Sequence, residues 1–152
     1  MKKQFKLLKQ ISVIAIITVL FSACKKDEDN TPKPTPQPTK TDILTGSDWV
    51  MKSVIVDGSD IFSLMDECEK DGFTKFKSNG VYIDDEGALK CNSSDEQTSE
   101  GVWKFISNES QLLIDNLDSM NIELLTTDSL KVSITYDDDG TDKTIKTTFV
   151  AK

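Results

Sequence analysis

The sequence predicts an all-β domain: an antiparallel up-and-down barrel of about eight short strands with one short helical segment. Three observations carry that expectation. Apolar residues recur with a period of two: Leu130, Val132, Ile134 and Tyr136 alternate with Lys131, Ser133 and Thr135, and Met120, Ile122 and Leu124 alternate with Asn121 and Glu123. This is the pattern of strands with one face in a core. Each run is bounded by Gly, Asn, Asp or Ser, the residues of turns. All prolines of the chain lie at Pro32, Pro34, Pro36 and Pro38, so none interrupts a strand of the domain.

Taken in order, strands are expected at Asp48–Val56, Gly72–Lys77, Val81–Asp84, Gly101–Ile106 and Gln111–Asp115. The two alternating runs come next, and Ile145, Thr147 and Phe149 continue the pattern after the turn "DDDG" at residues 137–140. A helical turn is expected near Ile61–Asp66. A meander of this kind closes on itself, because closure removes exposed edges that would invite aggregation. No internal repeat of about 20–50 residues is present.

Ahead of the domain, Lys2, Lys3, Lys6 and Lys9 precede an apolar run from Ile11 to Phe21 and the small pair Ser22-Ala23. That order reads as a secretory signal. A membrane-spanning helix needs about 20 apolar residues, and this run is about half that, so removal is expected rather than retention. Leu20-Phe21-Ser22-Ala23-Cys24 resembles the lipobox of bacterial lipoproteins, although Phe21 stands where leucine is more usual. The resemblance implies that Cys24 becomes the lipidated first residue, and its acyl chains meet the two-signal requirement for stable anchoring. An unlipidated signal and an uncleaved anchor are the alternatives.

Lys25-Lys26-Asp27-Glu28-Asp29 resembles the acidic, lysine-containing signal that sends lipoproteins of some Gram-negative gut bacteria to the outer face of the outer membrane. The alternatives are a solvated charge run and a position on the periplasmic face. In "NTPKPTPQPTK", residues 30–40, proline occupies every second position, which favours an extended polyproline stalk. The expected organisation is a signal peptide at residues 1–23, a lipidated cysteine and stalk at 24–42, and one domain at 43–152.

The chain has no histidine and no arginine. Without the four lysines of the leader, 14 lysines stand against 26 acidic residues, a balance of −12. Nucleic acid and anionic lipid surfaces would be repelled. Histidine-based triads are impossible, and phosphoryl transfer loses its usual arginine clamp. Carboxylate chemistry survives: Asp84, Asp85 and Glu86 raise a glycosidase reading, against which stands a solvated turn before Gly87. Asp137, Asp138, Asp139 and Asp142 raise calcium, but no Glu closes an EF-hand loop, and a hairpin turn is the simpler reading. No catalytic residue, metal ligand or cofactor is expected.

"LTGSDWVMKSVIVDG", Phe76-x3-Gly80-x-Tyr82, "DEGALKC" and Gly101-x-Trp103 together resemble the lipocalin-like domain of small Gram-negative outer-membrane lipoproteins, over roughly residues 43–152. The resemblance implies an antiparallel barrel or half-open sandwich with a short helical segment between the first two strands. It places Trp49 near the tryptophan that plugs one end of lipocalin barrels. Gly46-Ser47-Asp48-Trp49 is one residue longer than the G-x-W spacing, leaving open its packing partner and a β-bulge that would absorb the extra residue.

With Cys24 lipidated, Cys68 and Cys91 form an even pair in an oxidising compartment, where a disulfide is the expected state. Phe76, Tyr82, Trp103, Phe105 and Tyr136 fall at positions that could face the interior. An eight-stranded barrel is just wide enough to be filled by side chains or to hold one small ligand. The open reading gives an envelope protein that binds a small apolar or glycan-derived ligand. The filled one gives an accessory protein acting through rim loops, above all residues 85–99.

Overall fold

The computed structural model describes residues 36–152. The expected signal, Cys24 and the first part of the stalk lie outside the described residues. Helix α1, Lys40–Thr45, is the first element of the described residues and straddles the expected domain start. Its signal is a capping box: Thr39 Oγ1 accepts from the Asp42 backbone N–H at 3.1 Å, and the Asp42 carboxylate accepts from the Thr39 N–H at 2.8 Å. Nothing in the period-two reading anticipated it.

Nine strands follow: β1 Asp48–Val56, β2 Ser59–Asp60, β3 Phe73–Phe76, β4 Val81–Asp85, β5 Thr98–Ile106, β6 Gln111–Ile114, β7 Asp118–Leu125, β8 Ser129–Asp138 and β9 Thr141–Ala151. They form one antiparallel sheet in which β1 also pairs with β9. The two-residue β2 only folds back on the end of β1. The remaining eight strands are the wall of a closed up-and-down barrel with the lipocalin-like architecture. Between β1 and β3 lie a 3₁₀ turn, Phe62–Leu64, and helix α2, Glu67–Lys70, where a helical segment was expected. α2 carries its own capping box between Asp66 and Glu69.

Trp49 is fully buried, and its indole Nε1–H donates to the Leu44 carbonyl at 2.8 Å. Leu44, the single buried residue of α1, is itself fully enclosed. Together they plug the end of the barrel at which the chain enters. Lys40 Nζ adds a bond across that end to the Glu109 carbonyl at 2.6 Å. The extra residue before Trp49 is taken up by the turn after α1. The bulge lies further on, at Lys52, where the pairing jumps from Met51↔Phe149 to Ser53↔Thr148. Adding one residue reverses the facing of those after it, which is why Trp49 and Val54, an odd number of residues apart, are both buried.

A second bulge, at Glu123 between Ile122↔Val132 and Leu124↔Lys131, corrects the expected alternation. Met120 and Ile122 pack on the core as expected, but past the bulge Leu125 takes the inward place and Leu124 is 39% exposed.

Beside the fully enclosed Trp49, Leu44, Leu112 and Leu130, one part of the core is aromatic. Phe76 meets Trp103 edge to face at 5.5 Å, and Trp103 meets Phe105 in the same way at 5.4 Å. Such pairs contribute beyond the area they bury. Trp103 Nε1–H donates to the Lys77 and Val81 carbonyls at 3.0 and 3.1 Å, tying β5 to the β3–β4 turn. Trp103→Ala should therefore cost about 3–5 kcal/mol, as other large-to-small core truncations do. Urea denaturation measures it, and a loss below about 1 kcal/mol would show that the ring is not a core element.

Candidate functional site

At the end opposite α1 the wall is incomplete. Strand β3 pairs with β1 only at Asp48–Val50, and β6 stops at Ile114. On β5, Thr98, Ser99 and Glu100 are all exposed. Beneath this open end lies a cavity of about 130 Å³. Trp49, Phe76, Leu112, Ile114, Met120, Leu130, Val132 and Phe149 give it an apolar lining, and Thr74, Tyr82 and Asp84 supply polar groups. A shallower opening of about 240 Å³ shares Trp49, Thr74, Asp84 and Phe149 with it and adds Glu69 and Asp85.

Strand alternation explains the lining. On β4, Tyr82 and Asp84 turn inward while Val81, Ile83 and Asp85 turn away. Thr74 on β3 pairs with Asp84, and its hydroxyl donates to Asp84 Oδ1 at 2.5 Å. Burial pushes the Asp84 carboxyl above its ordinary range; the Thr74 bond opposes this and the Asp115 charge adds to it. Asp84 is nonetheless an exposed residue, so it is a group of the mouth rather than of the core.

Tyr82 spans the gap left where β6 stops. Its hydroxyl donates to Asp115 Oδ2 at 2.6 Å, and Asp115 Oδ1 accepts from the Val102 N–H at 2.9 Å. Opposite Tyr82 in the ladder stands Gly101. A Cβ there would collide with the Tyr82 ring and the Asp115 carboxylate, so glycine is required by the close approach of the ring. The Asp115 bond, then burial, then the charges of Asp115 and Asp84 push the Tyr82 phenol up to about 12. The same bond, with that from Val102, holds Asp115 below the usual carboxylate range.

The expected site residues therefore separate. Phe76 and Tyr82 line the cavity. Trp103 is buried with both of its acceptors inside the fold, Phe105 packs behind it, and neither reaches the cavity. Tyr136 corrects the reading of an inward position: it is 42% exposed, on the part of the β8–β9 hairpin where Tyr136 pairs with Lys143, beyond the core. Cys68 and Cys91 are bonded, with Cα atoms 5.2 Å apart. The bridge closes a loop whose ends are 23 residues apart, a constraint worth about 3 kcal/mol in the chain-entropy account. It fixes α2 to the β4–β5 loop, which the Asp71 carboxylate also holds through the Ala88 and Leu89 N–H groups at 2.8 and 2.9 Å.

The acidic runs resolve into turns. Asp85 faces away from Asp84 and caps the following loop, accepting from the Gly87 N–H and from Gln97 Nε2. The two carboxylates are thus not brought together across one bond. Asp139 and Gly140, with φ of 51° and 81°, form the two-residue β8–β9 turn, and Asp137 Oδ1 accepts from the Gly140 N–H at 2.9 Å. This is the Asp-Gly hairpin turn that positive φ at both positions demands. Among the described residues, no group of three or more acidic or cysteine side chains could hold a metal ion.

Sequence reasoning singled out neither Thr74 nor Asp115, and read Asp84, the last residue of an expected strand, as part of a solvated run leading into a turn. A signal for Asp84 was present, since it stands two residues from Tyr82 on an expected strand and so shares its face. In comparisons with known proteins, no family model and no curated protein matches the chain.

The Tyr82–Asp115 bond is directly testable. Tyr136→Phe leaves Tyr82 as the single tyrosine, and its phenol should titrate near pH 12 by ultraviolet difference absorbance. Adding Asp115→Asn should bring it back towards 10. Because the folded value is raised, this stabilisation is full below pH 10 and is lost as pH rises through about 12. Titration near 10 in both proteins would refute the bond.

Proposed function

We propose that this chain is a lipid-anchored protein of the outer membrane, exposed at the cell surface, whose barrel binds a small apolar ligand. The observation that carries the binding reading is the apolar cavity of about 130 Å³ inside the open end. Its size bounds the ligand. An apolar cavity of about 150 Å³ holds a benzene ring, whereas drug-sized sites run to about 300–1,000 Å³. One ring or a short branched chain is the matching class. The apolar lining favours such a ligand over a glycan-derived one, whose hydroxyls would lose their partners on entry.

Anchoring rests on the sequence around Cys24. Among the described residues no helix is long and apolar enough to cross a membrane, so attachment through the lipidated thiol is the route proposed. Cys24→Ser should move the protein from the membrane to the soluble fraction and abolish incorporation of a labelled fatty acid. A serine variant that stays membrane-bound and labelled would end the lipoprotein reading.

Binding is tested on the purified full chain with toluene as probe. Methyl NMR signals of Leu112, Leu130 and Val132 should shift on titration, while those of Leu64, 81% exposed on the outer surface, should not. Val132→Phe, which fills the cavity, should remove the shifts and leave the rest of the spectrum folded. If toluene moves none of the three in the wild type, the interior is closed to ligands, and function passes to the disulfide-held β4–β5 loop of an accessory protein.

A further inference from the structure

The mouth of the cavity carries a carboxylate, Asp84, that no lysine among the described residues pairs with. Asp84 Oδ1 accepts from Thr74, and no hydrogen bond from the described residues reaches Oδ2. The ion pairs among the described residues join Lys70 to Glu67, Lys75 to Asp48, Lys77 to Glu100, Lys143 to Asp57 and Lys146 to Glu123, and none involves Asp84. Lys152 acts on Asp85 rather than on Asp84. The tyrosine beside it cannot serve either, because its hydroxyl proton is committed to Asp115. The adjoining opening is bordered by Glu69 and Asp85, whose carboxylates are engaged elsewhere, Glu69 by the Asp66 N–H and Asp85 by the Gly87 N–H and Gln97, but still add negative charge to that side.

We propose that the cavity takes an amine: a ligand whose single ring or short alkyl group lies against Leu112, Leu130 and Val132, and whose ammonium rests on Asp84 at the mouth. This rests on the proposed apolar binding and names its ligand class. A carboxylate at the rim of an apolar cavity, with one oxygen facing solvent, gains from a charged donor more than from a neutral one. The low-dielectric cavity wall strengthens that attraction relative to water. The same carboxylates repel an anion of equal shape, so the mouth selects by charge where the apolar lining cannot. Partial burial at the rim, opposed by the Thr74 bond and reinforced by the Asp115 charge, raises the Asp84 carboxyl, and an ammonium there would relieve that cost.

Three ring compounds of nearly equal size separate the terms: benzylamine, benzyl alcohol and benzoate. On the full chain at neutral pH, benzylamine should bind about tenfold more tightly than benzyl alcohol, a difference of about 1.4 kcal/mol. Benzoate should produce no saturable shift of the Leu112, Leu130 and Val132 methyls. Asp84→Asn keeps the acceptor for Thr74 and the shape of the mouth. It should bring benzylamine to within about twofold of benzyl alcohol, whose own Kd stays unchanged. Raised salt should weaken the benzylamine preference and leave benzyl alcohol alone.

Equal binding of amine and alcohol by the wild type, or a preference that survives Asp84→Asn, overturns the proposal and leaves the apolar cavity standing. If none of the three compounds moves the interior methyls, the cavity reading fails and the amine goes with it. An Asp84→Asn chain that does not fold would show that the carboxylate serves the structure, which also overturns the proposal. Circular dichroism of the variant reads that outcome.

Discussion

Everything in this fold depends on β1 pairing along both of its edges. On one edge it joins β9 from Trp49↔Ala151 to Val56↔Ile145, nearly its whole length, and so closes the barrel. On the other it meets β3 over Asp48–Val50 alone and then β2 at Ile55 and Val56. A closed wall has no free edge to recruit another chain, but this wall is high on one side and low on the other. The 3₁₀ turn and α2 fill the interval, anchored by the Ile61 N–H to the Val54 carbonyl at 2.9 Å. The opening that includes Met51, Glu69, Gly72 and Phe73 lies at that low side. The cavity is thus a consequence of strand lengths, with α1 and Trp49 sealing the far end and a four-residue β3 leaving the near end short.

Charge contributes less to holding the barrel together than its abundance suggests. The ion pairs of the described residues are lysine–carboxylate contacts with solvent-accessible partners, a class worth about 0–1 kcal/mol each. Lys146–Glu123 at 3.0 Å sits on the β7 bulge, and Lys143–Asp57 at 3.0 Å joins two hairpin ends, so their role is local geometry. Stability rests on the ladder and on a core in which three aromatic rings stack edge to face. Those rings, Phe76, Trp103 and Phe105, fill one side of the barrel. Next to them, from Leu112 directly across the ladder from Phe105 round to Met120, Leu130 and Val132, the side chains are aliphatic, and the unfilled volume lies between these and Phe76.

Most of this architecture was legible in the sequence because a strand in a barrel has one wet and one dry face. Each of the eight wall strands overlaps an expected run, and β1 matches it residue for residue. What could not be read were the places where period two breaks. The bulge at Glu123 puts Leu125 inside in place of Leu124, and no local residue type announces it. Tyr136 keeps the inward phase of Leu130 and Val132, but phase says nothing about height, and the hairpin there has risen past the core. The mouth was half legible. Tyr82 was read as facing inward, and its strand carries Asp84 to the same face. Asp115 was hidden, because its link to Tyr82 spans 33 positions and passes over a glycine whose purpose only the folded ring reveals.

Gly101 connects wall and mouth. A glycine inside a strand weakens it, having no side chain to pack, yet here the missing Cβ lets the Tyr82 ring lie across β5 and reach the loop after β6. The aromatic ring covers the exposed glycine, a known remedy for glycine in sheets, and its hydroxyl replaces the ladder bonds that β6 is too short to make. Asp115, held at positive φ, completes the patch by bonding Val102 through both its backbone N–H, at 2.8 Å, and its carboxylate. Because the tyrosine hydroxyl is committed to closing the wall, it cannot also satisfy Asp84, two residues along the same strand. Spending that hydroxyl where β6 stops leaves Asp84 at the mouth with an oxygen that accepts no hydrogen bond from the described residues, and that oxygen is the feature of the site that a neutral, fully laddered barrel would lack.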